Sequence, residues 1–303
     1  MQCVFPGCCM TGPVLPSQCR KLLHDEESLF EREYKKYFLE GETKPGHIGA
    51  PYLLHRPESN YGVLLIHGFM AAPHEVREWA DHLFSKGFTV YAPRLAGHGT
   101  SADDLAQHKY PDWIESVERG YGVLNLLCKD VIVAGFSTGA GLALSQAILH
   151  PDRYRAVVSV SAPLQFKGLS TRFSRVMEFW NRKMEALGIT SFRKYFSPNH
   201  PDNPEINYHR CPVHGLNQVK ALMQNVYRDL PGLSVPALIV QGNHDPKVDP
   251  RSGPMIYERI AGSQKLYREI NFHCHGIVRG EIAFSVFSFV DEFLSKIIKN
   301  RDI

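Results

Sequence analysis

The sequence around Ser137 constrains the fold of this chain more than any other segment. Ser137 is the centre of the pentapeptide 135–139, Gly-Phe-Ser-Thr-Gly, which follows the apolar run 131–134 and precedes the small-residue stretch 140–144. A strand that enters a helix through one tight turn strains the middle residue, and the flanking glycines let strand and helix approach closely. The pattern therefore predicts a strand, a turn and a helix, with the serine oxygen held out at the end of a sheet.

A serine hydroxyl becomes a good nucleophile when a base takes its proton, so this interpretation requires a histidine and an acid elsewhere in the chain. Asp245 follows the apolar run 235–240 and lies just past the carboxyl end of a predicted strand, where open α/β sheets place their chemistry. His275 follows a further strand-like segment, 265–272. The order serine, acid, histidine is the one expected when the nucleophile occupies such a turn.

Each of these two roles has a competitor nearby. Asp249 competes with Asp245, but it lies beside Pro250, where a solvated turn carboxylate is the usual finding. Asp245 is favoured because it lies at the first turn after the strand. His273 competes with His275 because element boundaries shift by a few residues when they are read from sequence.

An early loop supplies the expected oxyanion donors. The apolar run 63–66 opens into His-Gly-Phe-Met at 67–70, where Gly68 allows the backbone to turn towards the serine. In such sites one donor is the amide after the nucleophile, here Thr138, and the other comes from this loop, here Phe69. Each donor typically stabilises the transition state by about 2.7 to 4 kcal/mol.

Together these stretches resemble the α/β-hydrolase superfamily and, within it, the bacterial carboxylesterase and monoacylglycerol-lipase-like group. Segment 91–100, Tyr-Ala-Pro-Arg-Leu-Ala-Gly-His-Gly-Thr, is similar to a loop of that group, and Asp-Trp at 112–113 matches a pair downstream of it. Segment 212–230 is similar to the end of its cap, and the resemblance runs from about residue 46 to residue 296.

The resemblance bears on two further residues. It implies that His275 is the base, with Cys274 in the place of the small residue that usually precedes it. Thr138 stands where methionine is commoner in the group. Because the amide of this residue and not its side chain acts on the oxyanion, the departure concerns substrate preference more than catalysis.

Apolar runs alternate with helical patterns along most of the 303 residues. This alternation predicts an α/β fold with a mostly parallel sheet covered by helices on both faces, the α/β-hydrolase fold of the resemblance. We expect an N-terminal extension at 1–45, a core at 46–162 and 234–303, and an inserted helical cap at 163–233. Within the extension, stretch 27–39 has apolar residues at helical spacing and is expected to pack on the core.

The predicted cap contains one apolar stripe at helical spacing, formed by Phe173, Val176, Met177, Trp180, Met184 and Leu187. Such a stripe either packs its helix on the core or roofs the serine and lines an acyl pocket. In the second interpretation Trp180 and Met184 bind the acyl chain of the substrate.

Charge and composition exclude several classes of function. The net charge is +3, from 34 basic and 31 acidic residues without a basic block, so no nucleic-acid partner is expected. No stretch approaches the ~20 apolar residues of a transmembrane helix. The N-terminus lacks the charged and apolar regions of a signal peptide, which favours a cytoplasmic location. Four cysteines in the first nineteen residues are expected to be reduced thiols of a loosely ordered extension, with metal binding, disulfides and thiol acylation as open alternatives (Cys3, Cys8, Cys9 and Cys19).

These residues and motifs predict a serine carboxylesterase that hydrolyses small-molecule esters with apolar acyl chains, including monoacylglycerols. The predicted mechanism uses no cofactor, and no metal site is expected because the histidines and cysteine of segment 200–214 lack structural-zinc spacing. Two alternatives stay open, an acyltransferase with the same triad and a non-catalytic ligand-binding protein on a hydrolase scaffold. The sequence carries no signal for an oligomeric state.

Overall fold

A seven-stranded sheet forms the centre of the computed structural model, which describes residues 15–167 and 195–299. Its strands are β1 Tyr52–Leu54, β2 Tyr61–Ile66, β3 Thr89–Ala92, β4 Asp130–Phe136, β5 Tyr154–Val160, β8 Ala237–Gly242 and β9 Lys265–Ile270. They run in the order β1-β3-β2-β4-β5-β8-β9. Strand β1 is antiparallel to β3, and the other neighbouring pairs of this sheet are parallel.

Helices cover both faces of this sheet. Residues of β4 alternate between the faces, so that Val131 and Val133 join one apolar cluster and Ile132 and Ala134 join the other. The first cluster contains residues of α5 Tyr110–Asn125, α6 Thr138–Leu149, α7 Val213–Asp229 and α8 Ser252–Arg259, and the second contains residues of α3 Arg77–Ser85 and α9 Ala283–Lys299. The predicted α/β-hydrolase fold, a mostly parallel sheet between two helical layers, is confirmed.

The N-terminal helix α1, Ser17–Lys36, begins well before the predicted stretch 27–39. Phe30 is buried, as expected for a helix that packs on the core, whereas Phe38 lies beyond the end of the helix and is exposed. Two acidic side chains of α1 pair with arginines of the core, Glu26 with Arg119 and Glu33 with Arg94. The helix is therefore joined to the core by ion pairs as well as by apolar contacts.

Short elements complete the connections between the larger ones. They are α2 Gly46–Gly49, a 3₁₀ turn Pro73–Val76, α4 Ala102–Leu105, the two-stranded hairpin of β6 Phe196–Pro198 and β7 Arg210–Pro212, and a second 3₁₀ turn Leu230–Gly232. Helix α7 packs on α5 and α6 through Val219, Leu222 and Met223. The limits proposed for the cap, 163–233, stay a prediction. Within residues 15–167 and 195–299, no helix is long and apolar enough to span a membrane.

Candidate active site

Ser137 occupies a strained turn between β4 and α6. Its backbone angles are φ 53° and ψ −120°, in a region that side-chain-bearing residues rarely adopt. A Cβ added to Gly135 would lie 2.2 Å from the carbonyl oxygen of Gly139, and one added to Gly139 would lie 2.2 Å from that of Ile66. Both flanking glycines are therefore required by close backbone contacts, as the pentapeptide predicted.

The serine, the histidine and the aspartate predicted from the sequence lie in hydrogen-bond contact. His275 Nε2 lies 2.9 Å from Ser137 Oγ, and His275 Nδ1 lies 2.6 Å from Asp245 Oδ2. An ionised carboxylate only accepts hydrogen bonds, so Nδ1 carries the proton and donates it to Asp245. The lone pair of Nε2 then faces the serine hydroxyl, which is the arrangement a general base requires.

Asp245 is held by its own loop. Its Oδ1 accepts hydrogen bonds from the amides of Lys247, at 2.8 Å, and Val248, at 2.9 Å. Burial raises the pKa of this carboxyl, but hydrogen bonds from His275 and from these two amides outweigh burial, and the net pKa lies below its usual value. Asp245 therefore stays charged beside the imidazole.

The two competitors have other surroundings. Both carboxylate oxygens of Asp249 accept from the Arg251 guanidinium, and Oδ1 also accepts from the Arg251 amide. The ring of His273 is exposed and stacks on that of His244, with centroids 4.5 Å apart. Neither competitor makes a hydrogen bond to the serine among the contacts of the described residues, which favours Asp245 and His275.

The loop that carries Phe69 passes directly beside the serine. A Cβ added to Gly68 would lie 3.3 Å from Ser137 Cβ. The other expected donor, the amide of Thr138, belongs to the first residue of α6, and the first amides of a helix have no partner within it. Thr138 thus follows Ser137 directly in the chain, and Gly68, the residue before Phe69, lies beside Ser137.

A buried carboxylate that was not predicted from the sequence holds the loop of Gly68 and Phe69. Glu75 is 5% exposed and its Oε2 accepts a hydrogen bond from the Gly68 amide at 2.7 Å. Burial raises the pKa of Glu75, and the Gly68 hydrogen bond offsets that rise only in part. A glutamate seven residues after Gly68 carries no signal of its own in the sequence, because the 3₁₀ turn that folds it back is not a periodic pattern.

Two buried histidines support the same region. His67 Nδ1 lies 2.9 Å from the Gly68 carbonyl oxygen, and its Nε2 accepts from the Leu95 amide. His98 Nδ1 lies 3.1 Å from the Ala96 carbonyl oxygen. Burial lowers the pKa of His67 to about 4. Burial and the neighbouring His67 lower the pKa of His98 well below its usual value. Both rings are therefore uncharged and bind loop backbone, and among the hydrogen bonds of the described residues neither ring reaches the serine.

Two predicted substrate-binding residues, Trp180 and Met184, lie outside the described residues. Among residues 15–167 and 195–299, no three His, Cys, Asp or Glu side chains are placed to hold a metal ion together. The described residues place a serine hydroxyl, an imidazole and a buried carboxylate in one hydrogen-bond chain, with the amide of Thr138 next to the serine. This is the equipment of acyl transfer through a covalent intermediate.

Comparisons with known proteins agree with this geometry. A family model described as serine aminopeptidase, S33, matches residues 57–281. A thermostable monoacylglycerol lipase of Bacillus sp. (strain H-257) is 33% identical over 204 residues, which cover 67% of this chain and 78% of the lipase. A carboxylesterase of Bacillus subtilis (strain 168) is 25% identical over 236 residues, which cover 78% of this chain and 92% of the esterase.

A solved structure from the metagenome-derived lipolytic enzymes LipS and LipT superposes with a TM-score of 0.71 at 24% identity, and covers 84% of this chain and 100% of its own. At this identity the superposition supports the fold alone. The chain therefore belongs to the S33 serine aminopeptidase family of the α/β-hydrolase superfamily, within the group of carboxylesterases and monoacylglycerol lipases.

Proposed function

We propose that this chain is a serine carboxylesterase that hydrolyses carboxylic esters through an acyl-enzyme. The observation that carries the proposal is the continuous hydrogen-bond chain from Ser137 through His275 to the buried Asp245, with contacts of 2.9 and 2.6 Å. Membership of a group that includes esterases and lipases supports the same bond type. The proposed reaction uses no cofactor, because its proton transfers need only the imidazole and its negative charge needs only amides.

In the first half of the proposed reaction, Ser137 Oγ attacks the ester carbonyl while His275 Nε2 takes the hydroxyl proton. The oxygen of the tetrahedral intermediate accepts hydrogen bonds from the amides of Phe69 and Thr138. Collapse of this intermediate breaks the ester C–O bond, and the imidazolium gives its proton to the leaving alcohol. Asp245 keeps the imidazole in the required tautomer and stabilises its charged form.

In the second half, water takes the place of the alcohol. His275 removes a proton from water, the resulting hydroxide attacks the acyl carbon, and the proton returns to Ser137 Oγ as the acid leaves. An alcohol or thiol in place of this water would make the same machinery an acyltransferase. The relative yields of free acid and transferred acyl product therefore separate these two activities.

Monoacylglycerols and other esters with apolar acyl chains are the proposed substrate class. The lipase that shares 33% identity with this chain supports it, as does the apolar stripe predicted for the cap. Trp180 and Met184 are proposed to line the acyl pocket. A cytoplasmic location likewise stays a prediction, which fractionation of the native host tests.

A fluorophosphonate probe and a panel of esters test the proposal. We expect the wild type to be labelled on Ser137 and to release free acid from monoacylglycerols, and the Ser137→Ala variant to do neither while it keeps its fold. Loss of a triad serine costs about 10⁶-fold in turnover in the best-studied case. Residual turnover of the variant above about a hundredth of wild type would exclude Ser137 as the nucleophile. A wild type that binds esters without turnover would support the ligand-binding alternative.

A further inference from the structure

Residues 202–208, here called the strap, lie within the predicted cap and contact three loops around Ser137. The strap precedes β7 and follows β6, so it belongs to the inserted region and not to the sheet. Its contacts reach the loop of His275, the loop of Phe69 and the loop 95–100 that follows β3.

Asp202 makes the contact with the histidine loop. Its Oδ2 accepts hydrogen bonds from the amides of His275, at 3.2 Å, and Gly276, at 3.3 Å. Its Oδ1 lies 3.5 Å from Nζ of Lys247, a residue of the loop that holds Asp245. One carboxylate of the strap thus contacts both loops that bring the base and its orienting acid to the serine.

Tyr208 makes the contact with the loop of Phe69. Its amide donates a hydrogen bond to the carbonyl oxygen of Met70, which has a positive φ of 62°. A residue with a side chain persists in this conformation only when its surroundings hold it there. The Tyr208 hydroxyl, fully buried, donates to the Gly97 carbonyl and accepts from the Thr100 amide.

Apolar packing supports the middle of the strap. Ile206 is 1% exposed and clusters with Ala71, Ala72 and Ile48, and two of these follow Met70 directly in the chain. The strap therefore lies against the loop of Phe69 by both a main-chain hydrogen bond and a buried side chain. Its position is determined by contacts at each end and in the middle.

We propose that the strap positions the general base and one oxyanion donor relative to Ser137, with Asp202 as the positioning residue for His275. This inference rests on the proposed esterase function. A shift of His275 by a fraction of an ångström lengthens the contact between Nε2 and Ser137 Oγ, and misplacement of about 1 Å costs as much as 10²-fold in rate. The strap makes the geometry of the catalytic groups depend on the inserted region.

Substitutions of Asp202 test the inference. In Asp202→Ala both amides lose their acceptor, and we expect kcat per titrated active site to fall by about tenfold or more with KM changed less than about twofold. In Asp202→Asn the side-chain oxygen still accepts from the amides, and we expect kcat within about threefold of wild type. The active sites are titrated with a fluorophosphonate, so misfolded molecules do not count.

Glu205→Gln is the matched control, because Glu205 belongs to the same strap but is 58% exposed and lies 3.9 Å from its partner Arg279. It should behave as wild type. An Asp202→Ala variant with wild-type kcat per titrated site, or an Asp202→Asn variant as impaired as the alanine variant, would overturn the proposal.

Amide hydrogen exchange supplies a readout that does not depend on the substrate. The amides of His275 and Gly276 should exchange faster in Asp202→Ala than in wild type, and unchanged exchange would also overturn the proposal. If the wild type hydrolysed no ester, the proposed function would fail. Exchange rates and the rate of fluorophosphonate labelling would then still decide whether Asp202 positions His275.

Discussion

Asp245 and Asp249 follow the same strand four residues apart, and their partners differ. Asp245 is buried against His275, whereas the Asp249 carboxylate pairs with the exposed Arg251. We expect Asp245→Asn to lower kcat by roughly 10⁴-fold, because an amide in this place favours the wrong imidazole tautomer. Asp249→Asn should lower stability by less than about 1 kcal/mol, the usual effect of an exposed ion pair, and should leave kcat unchanged.

Steady-state kinetics of the two purified variants check this prediction. The substitutions are chemically identical and lie in one loop, so each is the control of the other. Equal losses of kcat, or a larger loss at Asp249, would contradict the assignment of Asp245 as the residue that orients the base.

Glu75 gives a prediction on pH. Burial raises the pKa of this carboxyl in the folded protein. Because the pKa of Glu75 is higher in the folded than in the unfolded protein, this group stabilises the fold fully below the unfolded pKa of about 4.3. This contribution to the free energy of unfolding is lost as the pH rises through the folded pKa. Glu75→Gln removes this loss and keeps an acceptor for the Gly68 amide. The Tm of the variant minus that of wild type should therefore be more positive at about pH 7 than at about pH 4.

Thermal denaturation at several pH values measures this difference. Glu115→Gln, at an exposed position of α5, is the control and should show no such trend. A Tm difference for Glu75→Gln that stays constant or falls with rising pH would show that burial does not disfavour the charged form.

At the level of elements, α6 contains two glycines with opposite requirements. A Cβ on Gly139 would lie 2.2 Å from the Ile66 carbonyl oxygen and 2.5 Å from that of His67, which are backbone atoms of β2 and the following loop. A Cβ on Gly141 would meet Sδ of Met223 at 2.4 Å, and Sδ belongs to a flexible side chain. Only the first contact forces strand and helix apart.

We therefore expect Gly139→Ala to destabilise the protein by more than about 3 kcal/mol, in the upper range for single substitutions. Gly141→Ala should be close to neutral, because alanine favours the helix by roughly 0.5–1 kcal/mol while Met223 shifts. Urea denaturation midpoints measure both. Equal destabilisation by the two substitutions would contradict the close approach of strand and helix at Gly139.

Helix α1 provides the partner of a buried arginine. Arg94 is 3% exposed, pairs with Glu33, and donates a hydrogen bond to the His98 carbonyl oxygen in the loop that supports His67. Removal of one partner of a buried ion pair costs about 3–5 kcal/mol, and because Glu33 is partly exposed we expect about 3 kcal/mol for Glu33→Ala. The control is Glu31→Ala on the exposed side of the same helix.

Chemical denaturation of both variants measures the difference. A Glu33→Ala variant no less stable than Glu31→Ala would show that solvent or another acceptor compensates Arg94. In that case α1 would contribute through apolar contacts such as that of Phe30.

At the scale of the whole molecule, the inserted region is expected to determine which acyl chains the site accepts. We expect Trp180→Ala to lower kcat/KM several-fold for octanoate and laurate esters and to spare acetate, because each buried methylene contributes about 0.8 kcal/mol to binding. The acetate ester is the internal control. A uniform loss across the series, with a lower Tm, would mean that the apolar stripe only packs the insertion on the core.

Much of the core was predictable because its signals are local. The runs 63–66 and 131–134 are apolar throughout and lie in the parallel strands β2 and β4, and the apolar run 235–240 overlaps the parallel strand β8, which begins at Ala237. Helices cover both faces of these strands. Such strands read as continuous apolar runs because neither face meets water. Edge strand β1 has three half-buried residues and no such pattern, and it was not predicted.

The candidate triad was predicted in the same way, because each of its residues follows a strand or a strand-like segment. Chain order and strand ends were enough to nominate Ser137, Asp245 and His275, but the competition of His273 and Asp249 needed coordinates. A shift of one or two positions along a loop changes the direction in which a side chain points, and no sequence pattern indicates that direction.

The contacts that hold the candidate site in place could be identified only from the tertiary structure. Asp202 and the His275 amide that it contacts are 73 positions apart in the sequence, and Glu33 and Arg94 are 61 positions apart. The Glu75 carboxylate reaches the Gly68 amide through a turn that has no periodic sequence pattern. From the sequence alone each of these charged side chains would be expected on the surface, where most such residues lie. Local pattern determined the strands, the helices and the nominated triad of this protein. Only the folded chain decided which distant charges hold those residues in place, because such contacts leave no periodicity in the sequence.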